Sequence, residues 1–388
     1  MDQFPFKNKY IYLNFCGVSP LYEPARRKKQ EFENLQSQLG ALVFLEYPNV
    51  LKQFHESVAK LLKTSEKNIS FVKNTAEGLS LIANGYPFES DKDEILSFVF
   101  EYPSNHYPWK LQERKQKAKF KIIPNTKSVL LNPEEVPDGF VYGFSMQDIE
   151  KIVTKHTKII AISHVQFTSG FAANLKELGD FCKTHNIDLI VDAAQSLGVI
   201  PLYPEEWNIS AIAASGWKWL LGPLGSGILY TSEKFRNKIE LMNVGAEVMI
   251  QGQDYLNHTW QPHTDGRKFE YSTISYSDVI ALTECIEGLI LPYSPEKIFS
   301  HIQKLHQIFK EIIKKNKHIL IPEFPFENRS GILSAIVKNP QEVAQILRKH
   351  SLVCTVRGNY LRIAPHIMIT EEEIQKAAET LLKIVNSQ

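Results

Sequence analysis

Short apolar strands alternate with amphipathic helices between residues 49 and 231, and this alternation limits the possible folds more than any other feature. The segments 69–72, 158–165 and 188–191 are almost wholly apolar, whereas 49–64 and 174–185 place their apolar residues on one helical face. Strands that are apolar on both sides need cover on both sides. The sequence therefore predicts an α/β fold in which helices cover a mostly parallel sheet.

The pattern changes towards the C-terminus. Helical segments follow one another there, and two adjacent strands are predicted at 353–356 and 360–363. Strands and helices grouped in this way are typical of a small α+β domain. We therefore predict a large domain formed by 20–270 and a small domain formed by 1–19 and 271–388.

Charge, hydropathy and cysteine spacing argue against several classes of protein. The formal net charge is +1, which gives no electrostatic reason to expect nucleic acid or an anionic membrane as a partner. No apolar run is long enough to span a bilayer, and the N-terminus does not resemble a signal peptide. The cysteines at 16, 182, 285 and 354 lack metal-site spacing. We expect a cytoplasmic protein with free thiols and no metal.

The first polar feature at a strand end is the segment Asn74, Thr75 and Ala76, which opens a predicted helix. The free N–H groups and the positive dipole of a helix N-terminus suit a phosphate, and Thr75 adds a hydroxyl donor. The same residues could also form an ordinary helix cap.

The second feature is Asp192, which closes the apolar run DLIVD. A buried carboxylate is costly unless it meets a cation or is otherwise satisfied. The protonated ring nitrogen of pyridoxal 5′-phosphate (PLP) is such a cation. A hydrogen-bonded buried aspartate or a helix cap is the alternative interpretation.

The third feature is the segment SGWKWLLGPLGSG, in which Lys218 stands between two tryptophans. Burial in such surroundings would lower the pKa of the amine and favour the neutral form that attacks a carbonyl. Ser215, three residues earlier, could donate to a phosphate. The alternative is a lysine that extends from an edge strand to solvent.

The fourth feature is the pair His164 and Gln166 after the strand 158–165. Either side chain could lie beside a cofactor, although a structural histidine explains His164 equally well. All four features follow strands, and the carboxyl ends of parallel strands line the ligand crevice of an α/β sheet. Together they predict PLP held as a Schiff base on Lys218, with a small amino acid as substrate.

The run VDAAQSLG followed by ASGWKWLLGPLGSG resembles the class V aminotransferase family of fold-type I PLP enzymes. This family includes cysteine desulfurases, selenocysteine lyases, kynureninases and isopenicillin N epimerase-like proteins. The resemblance extends through YLNFCGVSPL, VKNTAEGLSL, EYPSNHYPW, ISHVQFTSG and YLRIAPHIMITEEEI. It implies a mainly parallel seven-stranded sheet in a large domain, a smaller α+β C-terminal domain, and a homodimer that shares its active sites.

The resemblance also implies roles for single residues. Lys218 matches the Schiff-base lysine, Asp192 the partner of the pyridinium, and Arg362 the arginine that binds the substrate carboxylate, with Asn14 as a weaker second contact. The positions that match cofactor-binding residues are Thr75, Ala76, Tyr102, Gln166, Asp192, Gln195, Ser215, Trp217, Lys218 and Thr273. Thr273, with Ser272, matches a segment that reaches the phosphate of a neighbouring subunit.

Three positions depart from the family pattern. Tyr102 stands where a ring-stacking histidine is common, and it cannot replace the acid–base function of histidine near neutral pH. Trp217 replaces a phosphate-binding histidine. Desulfurases carry a persulfide cysteine on a mobile loop, whereas Cys354 lies in a predicted strand, eight residues before Arg362. We expect Cys354 to be a packing residue, and we keep Cys16 as a second thiol near the substrate position.

The leading functional hypothesis is C–S or C–Se lyase chemistry of the cysteine desulfurase and selenocysteine lyase type. A class V aminotransferase or an amino-acid epimerase is the alternative, since both reactions begin on the same cofactor. A binding protein that has lost catalysis is a further alternative. The presence of Lys218, Asp192 and Arg362 favours an enzyme.

Overall fold

The computed structural model describes residues 3–314 and 316–387. Residues 1, 2, 315 and 388, which include both outer ends of the predicted small domain, lie outside the described part. In chain order the strands are β1 (Ile11–Tyr12), β2 (Ile69–Val72), β3 (Glu94–Phe98), β4 (Lys119–Ile123), β5 (Thr157–Ser163), β6 (Asp188–Asp192), β7 (Ala211–Ser215), β8 (Gly227–Thr231), β9 (Leu333–Ile336), β10 (Leu352–Val353), β11 (Thr355–Arg357) and β12 (Tyr360–Ile363).

A seven-stranded sheet with the order β2-β8-β7-β6-β5-β3-β4 forms the centre of the fold. Strand β8 is antiparallel to both of its neighbours, and every other neighbouring pair is parallel. This arrangement confirms the predicted α/β architecture. It also means that the carboxyl ends of β2, β3, β5, β6 and β7 lie along one edge of the sheet.

Helices cover the sheet on both faces, which explains why its central strands are largely apolar. Along β5, Ile160 and Ile162 belong to one buried cluster, whereas Ile159 and Ala161 belong to the other. The helices are α1 (Glu23–Leu39), α2 (Val43–Glu46), α3 (Val50–Leu62), α4 (Thr75–Gly85), α5 (Pro103–Arg114), α6 (Met146–Glu150), α7 (Leu175–Thr184), α8 (Glu233–Lys238), α9 (Tyr276–Cys285), α10 (Leu291–Tyr293), α11 (Pro295–Ile313), α12 (Pro340–Lys349) and α13 (Glu371–Asn386). Within the described residues, no helix has both the length and the hydropathy that crossing a membrane requires.

Two small sheets lie in the C-terminal part of the chain. Strands β11, β12 and β9 form an antiparallel sheet, and β10 pairs in parallel with β1 near the N-terminus. The single strand predicted over 353–356 is therefore wrong, because the chain changes from one sheet to the other at Cys354. The pairing of β1 with β10 places the N-terminal segment against the C-terminal part of the chain.

Helix α5 was not evident in the sequence. It contains Pro108 in its interior, and many of its residues have modest helix propensity. Tertiary packing compensates, since Trp109 is fully buried and its indole N–H donates to Asn105 Oδ1 at 3.0 Å. The N-cap of this helix is Tyr102, so α5 helps to fix a residue of the candidate site.

Candidate functional site

A cavity of about 550 Å³ lies at the carboxyl edge of the large sheet. The N-terminal segment and the β11–β12 hairpin close its other sides. The predicted site residues that line it are Asn14, Thr75, Ala76, Tyr102, Asp192, Gln195, Ser215, Trp217, Lys218 and Arg362. Residues far apart in the chain thus meet in one cavity because parallel strands end at the same edge.

Lys218 and Asp192 both line the cavity and attract each other electrostatically. Asp192 ends β6, is buried, and accepts a hydrogen bond from the backbone N–H of Ala194 at 2.9 Å. Burial raises the pKa of the Asp192 carboxyl and lowers the pKa of the Lys218 ammonium, and the attraction between the two groups opposes each shift. The site therefore holds a lysine that loses its proton more readily than a free amine.

A tight turn after β7 presents Lys218 to the cavity. Gly222 N donates to Gly216 O at 2.8 Å, and Gly216 N donates to Ser226 O at 2.8 Å. A Cβ at Gly216 would lie 2.4 Å from Ser226 Oγ, so a larger residue could not be placed there without rearrangement. Ser19 N donates to Trp217 O at 2.9 Å, which joins the N-terminal segment to the lysine turn.

Two buried hydroxyls face each other at the start of α4. Thr75 Oγ1 and Ser215 Oγ are 2.8 Å apart, and either can be the donor. Asn74 caps the helix, because its side chain accepts from Glu77 N at 2.9 Å. The two interpretations of this segment are compatible: Asn74 satisfies the cap, and the hydroxyl pair remains beside the positive end of the helix.

The Tyr102 ring lies close to both Lys218 and Phe167. The Lys218 Nζ atom is 5.4 Å from the centre of the Tyr102 ring, and the Phe167 ring meets it edge-on at 5.2 Å. Tyr102 is 42% exposed and lines the cavity, so it is accessible to a ligand there.

Glu101 is a residue of this region that the sequence analysis missed. Its carboxylate accepts from Ser163 N at 2.7 Å and from the Ser163 hydroxyl, and Ser163 is the register partner of Asp192. Burial, with a smaller contribution from Asp192, raises the pKa of Glu101 to about 7. An acidic residue three positions after the buried strand β3 was the signal that could have revealed it.

The raised pKa of Glu101 predicts a specific pH dependence of stability. Its ordinary value is 4.5, so the folded state binds this proton more tightly than the unfolded state does. The contribution of this proton to the free energy of unfolding is fully present below the ordinary pKa, and it is lost as the pH rises to about 7. The free energy of unfolding of the wild type, relative to Glu101→Gln, should fall by up to about 3 kcal/mol over that interval. Urea unfolding at several pH values measures the difference, and parallel pH curves would refute the prediction.

Arg362 enters the cavity from β12 and is only 2% exposed. Its Nη1 donates to Phe167 O at 2.6 Å, whereas its buried Nε has no hydrogen-bond partner among the described residues. Burial lowers the pKa of the Arg362 guanidinium. Asn14 lies nearby, since it bridges to Ala364 two residues further along the chain. A buried guanidinium with a free donor is well suited to bind a carboxylate.

The structure does not bring every predicted residue to the cavity wall. Gln166 is buried beside it, where its amide donates to Phe100 O at 2.6 Å and accepts from Thr168 N at 2.6 Å. Thr273 lines a separate cavity with Ser272. Gln195 does line the cavity, and its amide connects Cys16 O with the Trp219 indole.

His164 is not among the residues that line the cavity. It is 4% exposed, and burial lowers its pKa to about 3, so the ring is neutral. Its backbone N–H donates to Asp192 O at 2.9 Å, which continues the pairing of β5 with β6. Arg357, by contrast, lines the cavity without having been predicted.

Comparisons with known proteins agree with this geometry. The model of the family described as Aminotransferase class-V matches residues 45–361. A probable cysteine desulfurase of Methanothermobacter thermautotrophicus is 25% identical, over 98% of this chain and 96% of its own length.

Two solved structures of C-DES have the same fold. One is a mutant with glycine covalently linked to its PLP cofactor, with a TM-score of 0.87, 19% identity and 98% coverage of both chains. The other is the complex of this cystine C–S lyase with its reaction product cysteine persulfide, with a TM-score of 0.86, 20% identity, and coverage of 98% of this chain and 99% of that one. These matches confirm the predicted fold-type I architecture.

Proposed function

The chain belongs to the class V aminotransferase family, and from this premise we propose that it is a PLP-dependent enzyme that cleaves the C–S bond of a cysteine-type amino acid. The observation that supports the proposal most directly is that Lys218, Asp192 and Arg362 line the same cavity. The names of its relatives favour C–S chemistry over transamination or epimerisation.

The residues present fit PLP. The Thr75–Ser215 hydroxyl pair and the N-terminus of α4 would hold the phosphate. Asp192 would pair with the ring nitrogen, which compensates for the burial of the carboxylate. The exposed ring of Tyr102 would stack on one face of the PLP ring. Lys218 would form the covalent link to the cofactor.

When bound, PLP supplies an electron sink that stabilises negative charge at the substrate Cα. Lys218 moves the Cα proton, and the desolvation that lowers its pKa keeps the neutral amine available for that transfer. Arg362 and Asn14 orient the substrate through its carboxylate. Asp192 would stabilise the positive charge of the ring nitrogen during the reaction.

The β11–β12 hairpin indicates how sulfur leaves. Gly358 and Asn359, with φ of +52° and +72°, close it in a two-residue turn, which leaves no room for a long cysteine-bearing loop. Cys354 is buried before this hairpin, and burial raises its pKa to about 12. We infer that the sulfur product is released without a persulfide on Cys354.

Replacement of Cys354 by alanine tests this inference. Sulfide release should stay within about threefold of the wild type, because a buried protonated thiol is a poor nucleophile. The matched comparison is Cys16→Ala, since Cys16 is a thiol that lines the cavity. If sulfide release were lost in Cys354→Ala while the variant remained folded, direct release would be wrong.

We also propose that the protein is a homodimer in which Ser272 and Thr273 approach the partner's phosphate site. The segment between α8 and α9 exposes several large apolar side chains, and a second chain would cover them. These residues are Met242, Val244, Ile250, Tyr255, Leu256 and Trp260. Light scattering during size-exclusion chromatography should give twice the chain mass of 44.4 kDa.

One assay tests the proposed function. The purified protein is loaded with PLP and supplied in turn with cysteine, cystine, selenocysteine and other amino acids. Release of sulfide, selenide or a persulfide from the sulfur or selenium substrates supports the proposal. Keto acid formed with transfer of the amino group, or change of configuration alone, would identify an aminotransferase or an epimerase instead. A protein that does not bind PLP would refute the proposal.

A further inference from the structure

We propose that Arg357 is a second anion-binding residue of this cavity, and that the enzyme prefers amino acids whose side chain ends in an anionic group. The inference rests on the proposed function, since it names the substrate class of the same site.

The hairpin register places the two arginines on one face. Thr355 lies opposite Arg362, and Arg357 lies opposite Tyr360. Residues that are opposite each other, or two apart on one strand, project to the same side of a sheet. Arg357 and Arg362 therefore project to the same side, and both line the cavity.

The two arginines lie at different depths. Arg362 is buried, whereas Arg357 is exposed and precedes the two-residue turn. The Arg357 Nη1 atom donates at 2.9 Å to the carbonyl of Val356, its own neighbour. Within the described residues no carboxylate forms an ion pair with Arg357. Its remaining donors are thus available to a ligand that extends outward from Arg362.

The charges of the cavity wall support an anionic ligand at Arg357. Two guanidiniums line the cavity, Arg357 and Arg362, and the single carboxylate in its lining, Asp192, would be engaged by the ring nitrogen of PLP. The positive charge of Arg357 adds to burial in lowering the pKa of Arg362, so the two guanidiniums repel each other. The α-carboxylate of a substrate satisfies Arg362. A second anionic group, placed further out, would satisfy Arg357 and relieve the repulsion.

A matched pair of substrates isolates this contact. S-carboxymethyl-L-cysteine and S-carbamoylmethyl-L-cysteine have nearly the same shape, but only the first has a distal negative charge. Cleavage breaks the Cβ–S bond and consumes one water, giving pyruvate, ammonia and the corresponding thiol in each case. With the PLP-loaded enzyme, kcat/KM for the carboxylate compound should exceed that for the amide by about tenfold, as expected for one charge-assisted contact near solvent.

The Arg357→Gln variant should bring this ratio close to one, since glutamine removes the charge but keeps a polar side chain. Arg348→Gln is the matched control, because it removes an exposed arginine on α12, away from the cavity, and should preserve the ratio. Equal kcat/KM for the two compounds in the wild type would overturn the proposal. A preference that survives in Arg357→Gln would do the same.

Dissociation constants of the same pair, measured by calorimetry on the PLP-loaded protein, separate this inference from the proposed function. One possible result is that neither compound is cleaved, but the wild type binds the carboxylate compound about tenfold more tightly than the amide and Arg357→Gln does not. The substrate-binding role of Arg357 would then stand, and the proposed C–S lyase function would fail. If Arg357→Gln weakens PLP binding and leaves the ratio of dissociation constants unchanged, Arg357 serves the cofactor and the proposal is wrong.

Discussion

Replacement of Lys218 by alanine should lower turnover by at least about 10³-fold and remove the covalent link between the protein and PLP. Lys218 lines the cavity, where burial lowers its pKa and Asp192 opposes the shift. The variant loses both the amine that bonds to the cofactor and the group that moves the Cα proton. Borohydride reduction followed by peptide mass analysis should locate the cofactor on Lys218 in the wild type.

The Lys218→Arg variant is the control for charge. It preserves a cation beside Asp192, but a guanidinium neither forms the covalent link nor releases a proton near neutral pH. Both variants should therefore be inactive, and in both the visible band of the linked cofactor should be absent. Cofactor that remains borohydride-trapped on the chain in Lys218→Ala would assign the link to a different lysine.

The sequence predicted the sheet and the residues at its edge well, because burial on both faces leaves a strong apolar signal. Strand β2 was predicted with the bounds that the structure gives. Asp192 was recognisable because it is a carboxylate that closes an apolar strand, and Lys218 because it is a lysine between two tryptophans in an apolar segment. A residue that violates its local pattern is expected at functional sites.

What the sequence did not reveal depends on tertiary contacts. Helix α5 is stabilised by the burial of Trp109 rather than by propensity, so its sequence did not indicate a helix. Arg357 was not predicted, because only the register with β12 places it on the same side as Arg362. Gln166 matched a family position, yet its amide is hydrogen-bonded to the backbone beside the cavity. In each of these cases the observed structure depends on contacts between segments that are distant in the chain.

Replacement of Arg362 by alanine should raise KM by about a hundredfold, because two charge-assisted hydrogen bonds to the substrate carboxylate would be lost. The unpartnered Nε of Arg362 is the donor that the structure leaves for this purpose. The Arg362→Lys variant keeps the charge but not the planar fork of donors, so its KM should lie between those of the wild type and Arg362→Ala. Steady-state kinetics with the preferred sulfur amino acid measures these changes.

A substrate that lacks the carboxylate distinguishes the loss of carboxylate binding from damage to the structure of the cavity. Arg362 also donates to Phe167 O, and Phe167 contacts Tyr102, so its loss could disturb the ring-stacking side of the cavity. If Arg362 binds the carboxylate, the corresponding amino-acid amide should be a poor substrate for the wild type and no poorer for Arg362→Ala. An equal loss of kcat/KM with the acid and with the amide would show that Arg362 supports Phe167 instead. An unchanged KM for the acid would remove Arg362 from the substrate site altogether.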